Sequence, residues 1–442
     1  MTSQRPRWVD AKPFTLEAAP KFQSGHSQRL VVKVAPSALP SPAMTALSAR
    51  WHRSLSEIPE QQWQRLVGEE VSPFYCWDWL VALEESGSIV PKLGWQPLHL
   101  SVWRSDDQLV GVAPLYLKGH SYGEFVFDQA FARLAADLGE RYYPKLVGMS
   151  PVSPVQGYRF HTAPGESAAE LTAVMLELID QFASRNGILS CNFLYVDPTW
   201  QPLAEAAGCA TWINQQSLWT ADGQQTFADY LAGFNANQRR NIKRERRAVE
   251  QAGLRVTPLS GADLDTSLLQ RMHGFYEQHC ARWGMWGSKY LEASFFDRLA
   301  SPAMRERVVL FSAHRGDARE PVAMSLCVHD HQQLWGRYWG SEEEIDCLHF
   351  EVCYYAPIAW ALKRGLQRFD PGAGGSHKRR RGFVARPLAS LHRWYHPAMD
   401  GLIRQWLPRA NALMEEEIEA INAELPFKVE PPSLSFVACD HG

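Results

Sequence analysis

VVLFSAHR (308–315), PVAMSLCVHD (321–330) and LWGRYWGS (334–341) are three apolar runs in close succession, and they read as a strand meander. A helical pattern near 350–366 follows, and then a short strand, LQRFDPG (366–372). Ahead of the meander, helices are expected near 226–252, ending at Gly253, near 266–283 and from Leu291 to Leu299. Helices, a meander, a helix and a further strand make an α/β unit.

The first half of the chain repeats this order. Trp63, Leu66 and Val67, then Phe74, Trp77, Leu80 and Leu83, recur at helical spacing. HLSVWRS (99–105) and QLVGVAPLYLK (108–118) form a hairpin across Asp106-Asp107. Residues 168–185 place Leu171, Val174, Met175, Leu178 and Ile179 on one stripe, Asn186-Gly187 ends that helix, and LSCNFLYVD (189–197) is the strand after it. The expectation is an α/β (α+β) fold of two tandem lobes, over 51–215 and 216–400, with a C-terminal helix and tail over 401–442. Residues 1–50 carry seven Lys/Arg against two acids without sustained periodicity, and read as a disordered extension in which Met44 is a candidate start.

The 442 residues are 45% hydrophobic and 21% charged, which suits a compact protein. With 45 basic and 48 acidic residues the net charge is −3, so DNA is not an expected partner and anion binding has to be local. The eight cysteines form no C-x-x-C pair, and reduced thiols in a cytoplasmic protein are expected. No apolar stretch of about 18 residues marks a transmembrane segment. No H-E-x-x-H or G-x-S-x-G motif is present, so a hydrolase lacks its nucleophile motif, and His329-x-His331 reads as an exposed turn; no metal and no tightly bound cofactor are expected.

Three segments can carry chemistry. QRRNIKRERRAVEQ (238–251) puts Ile242 and Val249 on a buried stripe and six basic residues outward, so Arg239, Arg240, Lys243 and Arg244 offer forked donors to phosphate or RNA. The competing reading is a solvated charged face. In PGAGGSHKRRRGFVAR (371–386), Gly372, Gly374 and Gly375 precede a basic run, a pattern that can hold an anion on backbone N–H groups. In RYWGSEEEIDCLHFEVCYYAP (337–357), Trp335, Arg337 and Trp339 alternate and are expected on one face, while Glu351 beside His349, Tyr354 and Tyr355 could serve as a base if buried. A hydrogen-bonded structural cluster is the alternative. Pro357 either kinks this helix or opens its first regular turn.

GEFVFDQAFA (123–132), RYYPKL (141–146), NQRRNIKRERR (237–247), LWGRYWG (334–340), LHFEVCYY (348–355) and PGAGGSHKRRRGF (371–383) together resemble the FemAB-like branch of the GNAT acyltransferase superfamily, over about residues 55–425. The resemblance implies two GNAT-like lobes and transfer of an acyl or aminoacyl group to an amine. In better-known relatives the donor is an aminoacyl-tRNA and the acceptor a peptidoglycan precursor; the sequence has no charged coiled-coil arm of the kind some tRNA users insert, which leaves acyl-CoA open as donor. The glycine loop departs from the family's G-A-Q-G-E-H-K, reading Gly372-Ala373-Gly374-Gly375-Ser376-His377-Lys378.

The expected activity is N-acyl transfer, with Glu351 or His349 deprotonating the amine and Tyr354 or Tyr355 protonating the leaving group. Arg337, Gly374, Gly375, His377, Lys378 and Arg381 are expected on substrate or donor phosphate. Tyr142, Tyr143 and Lys145, with Glu124 and Asp128, are expected to close the cleft from the first lobe. A non-catalytic RNA- or glycan-binding module on the same fold is the alternative.

Overall fold

The computed structural model describes residues 29–32, 47–68, 71–104, 107–282 and 289–428. The first half contributes β1 (Arg29–Val32), β2 (Leu47–His52), β3 (Trp95–Pro97), β4 (His99–Arg104), β5 (Leu109–Ala113), β6 (Tyr116–Lys118), β7 (Lys145–Gly148), β8 (His161–Thr162) and β9 (Ser190–Phe193). The second half runs through β10 (Ala210–Thr220), β11 (Leu254–Ser260), β12 (Val308–Arg315), β13 (Pro321–His329), β14 (Gln333–Ser341), β15 (Arg368–Asp370) and β16 (Val384–Trp394). They form a five-stranded sheet, β1-β2-β4-β5-β8, and an eleven-stranded sheet, β11-β12-β13-β14-β15-β10-β16-β9-β7-β6-β3.

Both lobes carry the expected unit. In the first, an antiparallel run reaches β7, the helix Ala168–Arg185 crosses over, and β9 returns parallel to β7. In the second, the meander reaches β14, a helical stretch from Leu348 to Lys363 crosses over, and β15 returns parallel to β14. The pairing is otherwise antiparallel, so the architecture is the two-lobed, mixed-sheet α/β fold anticipated above. A strand exchange joins the lobes. β10 lies between β15 and β16, in register with β16 from Ala210↔His392 to Leu218↔Val384, and β16 continues onto β9.

Local chemistry explains the elements. Ser167 caps the helix Ala168–Arg185, whose Leu171, Met175, Leu178 and Ile179 are buried, each contributing about 1.5–3 kcal/mol by leaving water. The helix expected over 226–252 is two helices, Phe227–Gly233 and Ala236–Gln251. A Thr226/Asp229 capping box starts the first, and the Asn235 side chain, accepting from Gln238 N at 2.9 Å, starts the second. Within the extension expected to lack structure, Arg29–Val32 pairs with Leu47–Arg50; the remainder up to residue 46 lies outside the described residues, as does Asp106 of the hairpin turn.

β14 overturns one expectation. Leu326 pairs with Tyr338 but Cys327 pairs with Gly336, so Arg337 is the extra residue of a β-bulge. Alternation slips there by one, and Trp335 packs on Phe74 at 5.5 Å while Trp339 packs on His349 on the other face. The three residues do not share a face.

Candidate functional site

β14 and β15 pair only from Gln333 to Trp335, against Arg368–Asp370, and then part. Ligands of open α/β sheets sit where strands part beyond their carboxyl ends. The bulge turns Arg337 toward this opening, where its Nε donates to Gly336 O at 2.8 Å and its guanidinium sits 5.6 Å from the Phe74 ring. Gly372, at φ +85°, turns the chain away from β15. A Cβ there would lie 3.0 Å from Gly336 O and 3.2 Å from Arg337 Nη2, so backbone strain and space both demand glycine. Asp370, buried, accepts from Gly372 N at 2.8 Å. The buried Lys378 ammonium donates to Gly372 O, and desolvation lowers its pKa to about 8 against the opposing pull of Asp370. Burial raises the Asp370 carboxyl, with Arg337 acting the other way.

The helical stretch opposite begins at Cys347, in the left-handed region, and runs through a π-helical turn, Glu351–Tyr355, before regular helix resumes with Pro357 in its first turn. Such turns are frequent at functional sites. Tyr354 Oη lies 2.8 Å from His377 Nε2, and His349 packs between Trp339 and His377, with ring centroids 4.5 and 5.3 Å away. Desolvation, helped by neighbouring cations, lowers the pKa of His377 and takes that of His349 down to about 3, so both rings are neutral at pH 7. Arg381, buried, lies 3.4 Å over the Phe350 ring and donates to His377 O at 2.9 Å and to Glu245 at 2.7 Å.

Two expected proton-transfer residues are held elsewhere. Glu351, on the next face of the helix, accepts a fork from Arg246, with Nε 3.0 Å from Oε2 and Nη2 3.0 Å from Oε1. Burial raises its pKa and Arg246 opposes the rise. The Tyr355 hydroxyl is buried and donates to Glu245. The basic helix is therefore less uniformly outward than its sequence implies: Glu245 faces in to neutralise Arg381, Arg246 holds Glu351, and Arg239 donates to Phe234 O, while Arg240, Lys243, Arg244 and Arg247 are exposed. In the glycine loop, Gly374 and Gly375 are exposed.

The first-lobe residues come together as one buried network. Lys145 Nζ donates to Glu124 at 2.7 Å, to Ser121 at 2.8 Å and to Asp128; Tyr142 Oη donates to Asp128 at 2.7 Å, and Tyr143 Oη lies 2.8 Å from Ser121 Oγ. Glu124, Asp128, Tyr142 and Lys145 have at most 3% exposure, so they offer no surface to a substrate in this conformation. Burial pushes the Glu124 carboxyl up to about 7. The Tyr195 hydroxyl donates to Glu124 O at 2.6 Å, and burial raises its pKa, with Arg337 opposing the rise and Asp370 adding to it. Tyr195, Glu245 and Arg246 were not separable in the sequence from an ordinary buried strand and a charged helix face.

A cleft of about 450 Å³, lined by Glu306, Arg307, His329, His331, Trp360 and Arg364, lies at the opposite ends of β14 and β15. It shares no residue with the groups around Arg337 and His377. Among the described residues no cluster of His, Cys, Asp or Glu could hold a metal ion, and no helix is long and apolar enough to cross a membrane.

Residues 54–429 match the FemAB-like family model, described as peptidoglycan biosynthesis/recognition. The chain belongs to this family, the acyltransferase family its motifs resemble. No curated protein matches it. Similar solved structures include FemX (12% identity, 80% of this chain and 99% of that one, TM-score 0.47) and L-PGS from Bacillus licheniformis (10%, 77% and 98%, 0.44). A tandem GNAT protein from the clavulanic acid biosynthesis pathway is also similar (11%, 79% and 98%, 0.41).

Proposed function

We propose that the protein is an N-acyltransferase that moves an acyl or aminoacyl group from an acyl-CoA thioester or an aminoacyl-tRNA ester to an amine on a peptidoglycan precursor, at the opening where β14 and β15 part. The observation that carries this reading is the neutral Tyr354–His377 pair, 2.8 Å apart, which joins the π-helical turn to the loop that follows β15. The amine nitrogen attacks the donor carbonyl, the new C–N bond forms, and the C–S or C–O bond breaks. His377 takes the amine proton, Tyr354 gives its own to the leaving sulfur or oxygen, and His377 restores it, so the enzyme ends as it began. Neither Glu351 nor Tyr355 is needed, because Arg246 and Glu245 already occupy them.

Arg337, at the bulge, suits a donor phosphate, and backbone N–H groups at the parted strand edge suit the carbonyl oxygen. The exposed Arg240, Lys243 and Arg244 of the helix Ala236–Gln251 suit the phosphates of a polyphosphate or tRNA. The described cysteines are unpaired, as a reducing cytoplasmic setting would keep them.

The test is a thermal-shift panel of acyl-CoAs, aminoacyl-tRNAs and lipid-linked muropeptides, followed by turnover with the pair that stabilises the protein. His377→Ala should lower turnover by about 10²–10⁴-fold, and Glu351→Gln should leave it within a few-fold. Ligand binding with no turnover in the parent would favour the binding-module reading. Full turnover in His377→Ala would discard the proton relay.

A further inference from the structure

The cleft at the far ends of β14 and β15 from the Arg337 opening encloses about 450 Å³, room for a small molecule. Arg307, just ahead of β12, and Arg364, just after the helix Ala356–Lys363, both line it. Among the described residues neither guanidinium makes an ion pair with a carboxylate. Arg307 Nη1 donates to the Cys76 thiol at 3.1 Å, and burial raises the pKa of that thiol, so it stays neutral and leaves the charge uncompensated. Arg364 lies over the Trp360 ring, 4.8 Å from its centroid.

The ordinary duties of such residues are filled by other groups. A basic side chain after a helix commonly serves the last carbonyls. Here backbone N–H groups do so, with Arg364 N, Gly365 N and Leu366 N donating to Trp360 O, Leu362 O and Ala361 O. The two acids that line the cleft are engaged elsewhere. Asp330 accepts from Gln332 N at 2.8 Å and from Gln333 N at 2.7 Å. The Glu306 carboxylate is turned to Gly261, 3.3 Å from where a Cβ would stand, and to Arg305 Nε at 3.5 Å. Asp78, in the neighbouring hollow that Arg307 also lines, is not its ion-pair partner.

We propose that this cleft is a second anion site, which takes the phosphate of a small phosphate ester between the guanidiniums of Arg307 and Arg364. A planar fork matches phosphate oxygens in pairs, and two forks suit a dianion. His329, which also lines the cleft, reports that both are near: burial above all lowers its pKa, Arg364 and Arg307 push the same way, and Asp330 opposes them. Trp360 is packed by Phe311 at 6.1 Å and His329 at 5.0 Å, so Arg364 rests on a fixed surface and loses little freedom on binding. The rest of the volume leaves room for the group that carries the phosphate.

Calorimetric titration of the full chain with glucose 6-phosphate and with AMP tests the site, and the tighter of the two tells a sugar phosphate from a nucleotide. Binding of at least one is expected, with a change in tryptophan fluorescence that Trp360→Phe abolishes. Arg364→Gln, at an exposed position, should weaken binding about tenfold, as should Arg307→Gln, while Arg337→Gln at the other end of the strands should leave it within about twofold. Arg364→Lys, which keeps the charge and loses the fork, should fall between parent and Arg364→Gln. No binding of either ester at about 10 mM, a fluorescence change that survives Trp360→Phe, or an affinity untouched by Arg364→Gln would each overturn the proposal. So would a loss of binding in Arg337→Gln, which would put the phosphate at the transfer opening instead.

Discussion

In the first lobe β7 and β9 run parallel as far as Gly148 and Phe193, and the Tyr158 ring fills the place where they would part; in the second lobe the matching place, between β14 and β15, is lined by Arg337, Asp370 and Lys378. Tyr158 lies so close to Gly148 that a Cβ there would be 2.3 Å from its ring. It donates to Pro114 O at 3.0 Å and stacks on Phe193, with Trp200 and Tyr75 at its edges. One supersecondary unit is thus used twice, once sealed by aromatic packing and once left polar. The sealed copy contributes stability by apolar burial, and the matching place in the second lobe holds Arg337 and the buried Asp370 and Lys378.

The sharpest way to break this comparison is Tyr158→Ala, which opens a cavity and should cost about 3–5 kcal/mol in urea unfolding. A loss under 1 kcal/mol would mean that the first lobe is not sealed by this ring. Next in size, Arg246→Met leaves the Glu351 carboxyl buried without its partner. Because Arg246 is itself about one-third exposed, about 1–3 kcal/mol is expected, and adding Glu351→Gln should recover part of it.

A pH series separates the lobes by sign. Lys378 has a folded pKa near 8 against an ordinary 10.5, so the unfolded chain binds the extra proton between those values and stability should rise with pH there. Glu124 is raised from 4.5 to about 7, so the native state holds the extra proton and its contribution should be lost as pH climbs through that window. Each slope is at most about 1.4 kcal/mol per pH unit, and Lys378→Met or Glu124→Gln should flatten its own window only. The smallest effect on stability belongs to the exposed basic face. Arg240→Gln with Lys243→Gln should stay within about 0.5 kcal/mol in unfolding, while the salt dependence of tRNA or polyphosphate binding should fall by about one unit for each phosphate that is no longer neutralised.

The strands at 308–315 and 321–329 and the helix at 168–185 stand where the sequence puts them, because period-two and period-3.6 patterns of apolar residues report local geometry directly. The Arg337 bulge was invisible to the same reasoning, since it depends on the register of β13 against β14 and not on β14 alone. The site divides in the same way. His377, Lys378 and Tyr354 could be named from residue type and motif. That Glu351 would be occupied could not, because Arg246 is 105 residues away and sits on a helix whose charges all looked outward.

From sequence alone came the family, the two α/β units and the segments that carry chemistry, all properties written in residue type and short-range periodicity. Tertiary structure decided which lobe stays open, which side chain points into the opening, and which acids are already neutralised. Those outcomes rest on contacts between residues far apart in the chain, where burial and charge pairing set the energy and no local pattern records it.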